Sequence, residues 1–185
     1  MSQSNPARPT FARVAATPVT LLNRFIVKVS GLFGDQAKEV ERFMKFAFVG
    51  VIGAIVDFGT LLVLQATVLV PIQPGKDMKV IAATTIAFFA AVTSNFIWNR
   101  FWTYPDSRSR SIRRQLAQFT FVNAIGWGLR TVWIRFTYLP IGIALTPAFV
   151  DFMSQFSAGY VESPETIGKV GTIASQFVAL WFVML

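Results

Sequence analysis

The chain has 185 residues, of which 54% are hydrophobic and only 14% charged, with 19 Phe and 5 Trp. That balance is too apolar for a soluble domain of this size and points to an integral membrane protein. Cysteine and histidine are both absent, which removes disulfides, thiol chemistry, the commonest metal ligands and the usual near-neutral base. The net charge of +8 gathers beside apolar runs, so anionic membrane lipids, not nucleic acid, are the expected partners.

Residues 1–20 are rich in Ser, Pro, Ala and Thr, carry Arg8 and Arg13, and read as a disordered basic tail. Over 21–40, Leu21, Leu22, Phe25, Ile26, Val29, Leu32 and Phe33 recur at helical spacing opposite Arg24 and Lys28. An amphipathic interfacial helix fits that pattern.

The remainder, 41–185, reads as an all-α membrane domain of four spans. The first runs over about 46–70, interrupted by Asp57 and Gln65 and closed by the turn signal PIQPGKD. The second, about 80–98, holds nineteen uncharged residues, about 28 Å of helix and just enough for the hydrocarbon core. The third, about 115–139, carries Asn123, Arg130 and Arg135, so it needs shielding by its neighbours. A long connection containing ALTPAFVDFMSQFSAGYVESPET follows, whose apolar part is expected to form a short interfacial or re-entrant helix. The fourth span, about 166–185, is still strongly apolar at Leu185, and the natural chain is expected to continue.

Basic residues set the orientation. Seven Lys or Arg precede the first span, and Arg100, Arg108, Arg110, Arg113 and Arg114 follow the second. The other two loops hold only Lys76, Lys79 and Lys169, with Arg135 near an edge. The N-terminus and the 99–114 loop are therefore expected in the cytoplasm, the membrane being the cell inner (plasma) membrane.

An internal repeat accompanies this layout. FAFVGVIGAIVD (46–57) slides onto FTFVNAIGWGLR (119–130), matching Phe46 with Phe119, Val49 with Val122 and Gly53 with Gly126. Two two-helix repeats would give this, and they place Asp57 and Arg130 at equivalent depth. A lone charge at the bilayer centre costs about 2.5–3.5 kcal/mol on insertion scales, so these two are expected to pair inside the bundle. The pair is either a fixed lock or a site at which Arg130 attracts an anion while Asp57 holds it in reserve. Gly50, Gly53 and Gly126 permit close helix contact, within the bundle or in a homo-oligomer.

The second span ends in SNFIWNRFWTYPDSRSRSIRR (94–114), where an uncharged helix runs into Asn99, Arg100, Trp102 and a spray of arginines. Arginine and tryptophan at a span end are common interface anchors. The chain around these residues resembles the GtrA-like family of four-span membrane proteins, from about Glu41 onward. The resemblance is carried by RFMKFAFVGVIGAIVDFGTLLVL, and by Asn95, Phe96, Asn99, Arg100, Trp102 and Thr103 with Tyr104 in the last place. The sequence departs from the family at Arg130, where a neutral polar residue is common.

The resemblance implies a flippase that moves a polyprenyl-phosphate-linked sugar, typically undecaprenyl-phosphate glucose, between leaflets for surface polysaccharide glycosylation. It implies a separate glycosyltransferase partner and, beyond Leu185, a second Asn-Arg-aromatic cluster. The residue chemistry fits such a ligand: Arg forks for phosphate, aromatics and amides for sugar, lipid for the tail. Arg100, Asn99, Trp102, Arg113 and Arg114 supply these groups at the interface, and Asn95, Asn123, Asp57 and Arg130 nearer the core. Two other readings are a non-transporting scaffold that recruits a glycosyltransferase and, less favoured by the strong charge bias, a small multidrug exporter. An enzyme is not expected, since no nucleophile and base stand at a recognisable spacing and no nucleotide, metal or cofactor motif is present.

Overall fold

An apolar helix in lipid must turn its few polar side chains toward other helices, and the fold obeys that rule. In the computed structural model, which describes residues 17–73, 75–105, 111–157 and 160–184, every regular element is helical. The buried set contains Asp57, Gln65, Thr84, Thr172, Ser175 and Gln176. Ile55, Leu62, Leu129, Phe136 and Trp181, by contrast, are exposed. Polar atoms inside and large apolar side chains outside is the arrangement that lipid selects.

Helix α1 (Thr17–Ser30) ends in a short 3-10 segment, Gly31–Gln36, whose Gly34 has φ of 54°. That left-handed conformation favours glycine, and it breaks the amphipathic segment before α2 begins at Ala37. On α1, Ile26 is buried while Leu21, Phe25 and Val27 are exposed. The segment expected as one interfacial helix over 21–40 is therefore two pieces with a kink between. The basic tail expected over 1–20 lies, up to residue 16, outside the described residues.

Helix α2 (Ala37–Thr67) runs without interruption from the charged lead into the apolar span. Helix α3 (Lys76–Trp98) returns beside it and continues into one π-helical turn, Asn99–Thr103. Leu61, Ala83 and Ala87 are fully buried between the two, with Leu64, Leu69 and Ile173 packed around them. Alanines on α3 let the backbones approach closely.

Helix α4 (Ile112–Phe156) has 45 residues and contains Pro140 and Pro147. At 1.5 Å per residue it is about 67 Å long, more than twice the hydrocarbon thickness. The helix thus runs on past Leu139, and the apolar part of the connection, expected as a short interfacial or re-entrant helix of its own, continues it for another four turns or more. Proline and ALTP are breaking signals in water. In an apolar setting the lost N–H bonds are better tolerated than an irregular backbone would be, because neighbouring groups re-satisfy the freed carbonyls.

Helix α5 (Thr166–Met184) packs along α4 at a glycine crossing. A Cβ on Gly171 would collide with the Tyr138 carbonyl and the Gly142 backbone, and one on Gly142 with the Ile167 carbonyl. Only a residue without a side chain permits that approach. Trp133 reinforces it by donating its indole N–H to the Ser175 carbonyl at 3.1 Å.

Three stretches, Thr20–Thr67, Lys76–Thr103 and Gln115–Phe156, are long and apolar enough to cross a membrane. The protein is therefore a multi-pass helical membrane protein.

Candidate functional site

Two polar features stand out in an otherwise apolar bundle. The first is a cleft of about 510 Å³ lined by Phe46, Phe96, Asn99, Arg100, Gln115 and Asn123, among others. The π-helical turn after α3 builds its mouth, and the first turns of α4 build its wall. A π turn inserts one extra residue into a helical turn and re-phases the side chains that follow, a device frequent at functional sites.

Arg100 and Trp102 face opposite ways from this turn. Arg100 lines the cleft, and its Nη1 donates to Gln115 Oε1 at 2.5 Å. Trp102 packs instead against α2, its ring centroid 5.9 Å from that of Phe48 with Lys45 Nζ 6.0 Å over the ring, and lies 6.0 Å from Trp98 at the end of α3. Trp102 pins the turn to α2, and the cleft's aromatic walls are Phe46, Phe96, Phe119 and Tyr104.

Asn99 lines the cleft with its Oδ1 buried and without a hydrogen-bond partner. Asn123 donates its amide N–H to the Phe119 carbonyl at 2.7 Å. Asn95 lies outside the cleft, over Gly53, where its amide fills the space a Cβ would need; its Oδ1 is also buried and unpartnered. Arg113 lines a shallower recess with Leu116, Ala117 and Phe121. The Arg114 side chain lies outside the described residues. The structure thus brings Arg100, Asn99 and Asn123 together and sets Trp102, Asn95 and Arg113 elsewhere.

The second feature is the buried charge pair. Arg130 Nη2 lies 2.9 Å from Asp57 Oδ2 and donates to Oδ1 at 3.1 Å. Gln176 of α5 donates its Nε2–H to Asp57 Oδ2 at 3.0 Å. The Arg130 guanidinium carbon stands 5.4 Å from the Phe88 ring centroid, a cation–π contact. Three helices and the ring of a fourth therefore converge on one carboxylate–guanidinium pair. The pairing of Asp57 with Arg130 was legible in the sequence, whereas Gln176 was not singled out. The signal that could have found it is an amide in the middle of the apolar stretch TIASQFVALWF.

The two features share one stripe of α4. Gln115, Phe119, Asn123 and Arg130 are spaced four, four and seven residues apart and fall on one helix face. Trp127, between the last two, donates its indole N–H to Thr85 Oγ1 at 3.1 Å. From Asn123 to Arg130 is about 10 Å along the axis.

A further cleft of about 740 Å³ lies between α4 and α5 near the other end of α4. Leu145, Phe149, Ile173 and Phe177 form its apolar wall, and Tyr160, Ser163, Glu165 and Lys169 are its polar members. The Glu165 carboxyl is held below the usual carboxylate range by a hydrogen bond to its own backbone, with Lys169 Nζ 3.4 Å away. Asn123 and Leu145, the nearest α4 residues of the two clefts, are 22 positions apart, about 33 Å of helix and close to a bilayer core. At that same end Asp77 takes an ion pair from Arg135 at 3.0 Å and a hydrogen bond from the Tyr138 hydroxyl.

A multi-pass helical membrane protein with a basic, amide-bearing cleft and a buried ion pair is the class these features define. Residues 45–178 match the family described as GtrA/DPMS, transmembrane domain, and the chain belongs to that family. It is also 30% identical, over 124 residues, to a dolichol-phosphate mannosyltransferase of Pyrococcus furiosus. That match takes in 66% of this chain and 32% of the relative, so the chain corresponds to about a third of the relative's length. No solved structure matches.

Proposed function

We propose that the chain moves a polyprenyl-phosphate-linked sugar, such as undecaprenyl-phosphate glucose, from one leaflet to the other for glycosylation of surface polysaccharide. The observation that carries the reading is the Arg100 cleft. A guanidinium suited to a phosphate, amides of Asn99 and Asn123 suited to sugar hydroxyls, and four aromatic rings share one recess. A prenyl tail would remain in lipid against the exposed apolar flanks of α4. The cleft between α4 and α5, which runs along α5 from Thr166 to Val178 and so reaches the level of Gln176, serves as the release side.

In this reading α5 is the fourth span, α2–α3 and α4–α5 are the two helix pairs of a repeat, and the N-terminus and Arg100 face the cytoplasm of the inner membrane. α1 rests on anionic lipid through its exposed apolar face. Gly50 and Gly126 have open space where a Cβ would stand, which leaves them free to meet a second copy in a homo-oligomer. The chain makes and breaks no bonds. A glycosyltransferase supplies the sugar, in keeping with the longer relative's name as a dolichol-phosphate mannosyltransferase.

Native mass spectrometry of detergent-extracted protein incubated with undecaprenyl-phosphate glucose tests the binding step. Wild type is expected to retain the lipid and Arg100→Ala to lose at least tenfold, about 1.4 kcal/mol or more. Equal retention by both would overturn the assignment of the cleft.

A further inference from the structure

Structural Arg–carboxylate pairs in low dielectric usually close as a two-nitrogen fork, with the remaining donors satisfied. The pair at Asp57 is built otherwise. A single nitrogen, Nη2, reaches both Asp57 oxygens at 2.9 and 3.1 Å, while the Arg130 Nε is buried without a partner. Asp57 is 4% exposed, yet it holds a second donor, Gln176 Nε2, at 3.0 Å. Gln176 is 1% exposed and its Oε1 is likewise buried and unpartnered. The guanidinium therefore has an unspent N–H at Nε, and the carboxylate has a neutral holder independent of the guanidinium.

We infer that Arg130 is an intramembrane station for the phosphate anion, and that Asp57 is a latch displaced from Arg130 when the phosphate arrives and retained by Gln176. This rests on the transport reading above and assigns its step inside the bilayer. A phosphate leaving Arg100 meets Asn123 and then Arg130 along one face of α4, with about 10 Å between the last two. Two of its oxygens can take Nε and a terminal nitrogen together, the fork that Asp57 leaves unmade. The displaced carboxylate keeps the Gln176 N–H, a neutral donor that offsets part of the loss of its charged partner. When the anion departs, Asp57 returns and Arg130 again has a counter-charge. The positive charge is thus compensated at every stage, which is what a bilayer interior requires. Gln176 is a positioning residue, since it acts on the phosphate only through Asp57.

The test uses full-length protein in detergent with undecaprenyl phosphate as the probe, read by retained lipid in native mass spectrometry and by the lipid-induced shift in Tm. Asp57→Asn frees Arg130 and is expected to retain on the order of tenfold more lipid than wild type, a difference of about 1.4 kcal/mol. Gln176→Leu strands Asp57 and is expected to retain severalfold less, with Gln176→Asn recovering part of the loss. Asp57→Asn with Arg130→Gln, a neutral pair that keeps the bundle intact, is expected to lose the gain of the single variant. If wild type binds and Arg100→Ala does not, while Asp57→Asn and Gln176→Leu both match wild type, the latch is overturned and the cleft stands. If wild type retains no polyprenyl phosphate, the transport reading itself is overturned.

Discussion

Asp57 and Arg130, 73 positions apart in the chain, meet at 2.9 Å inside the bundle, and Gln176 closes the group from a third helix. Their side chains are 5% and 13% exposed, so neither charge is relieved by water. Removing one partner of such a pair leaves a buried uncompensated charge, at a cost of about 3 kcal/mol. Asp57→Asn alone is expected to lower thermal stability in detergent more than Asp57→Asn with Arg130→Gln. Equal losses in a thermal-shift measurement would show that the two charges are independent.

Arg135, five residues further along α4, provides the contrast. It pairs with Asp77 at 3.0 Å, but their side chains are 50% and 44% exposed. An exposed pair contributes about 0–1 kcal/mol and is screened by salt. Arg135→Gln is expected to leave Tm within a few degrees of wild type, whereas Arg130→Gln lowers it clearly. Similar losses at both positions would place Arg135 in a less hydrated setting than its exposure indicates.

Gly171 and Gly142 set the closest approach of α4 and α5. A methyl group on Gly171 meets backbone on both sides, the Tyr138 carbonyl and Gly142, and backbone cannot step aside as a side-chain tip can. Overpacking of this kind costs about 1–3 kcal/mol. Gly171→Ala is expected to destabilise the protein by that amount, and Gly126→Ala, where a Cβ meets nothing within 4 Å of the same chain, to leave the monomer unaffected. Chemical denaturation of both variants in detergent separates these outcomes.

The orientation can be read directly, because the chain has no cysteine of its own. Ser111 and Ser157 flank α4 and both are exposed. Ser111→Cys is expected to react with an impermeant maleimide only from the cytoplasmic side, and Ser157→Cys only from the opposite side. Labelling of both from one side would mean that α4 does not cross.

Three membrane-length apolar helices and the meeting of Asp57 with Arg130 were legible because each follows from one local rule: apolar length, or the cost of an unpaired charge in lipid. The course of α4 was not, since Pro140 and Pro147 end helices in water and are tolerated in an apolar bundle. The division of labour in Asn99–Thr103 was also hidden. In a continuous α-helix Arg100 and Trp102 stand about 200° apart, and only the π turn decides which of them opens on the cleft. Gln176 is not legible in the sequence, because one amide in an apolar run carries no spacing signal and its partner lies 119 positions away.

In the proposed transport cycle the phosphate of a lipid-linked sugar is captured at Arg100 and crosses past Arg130. The direct measurement follows undecaprenyl-phosphate glucose between leaflets of liposomes that contain only this protein. Transfer is expected well above that of protein-free liposomes, reduced at least tenfold by Arg100→Ala and by Arg130→Gln. Transfer at the wild-type rate by both variants would contradict that cycle.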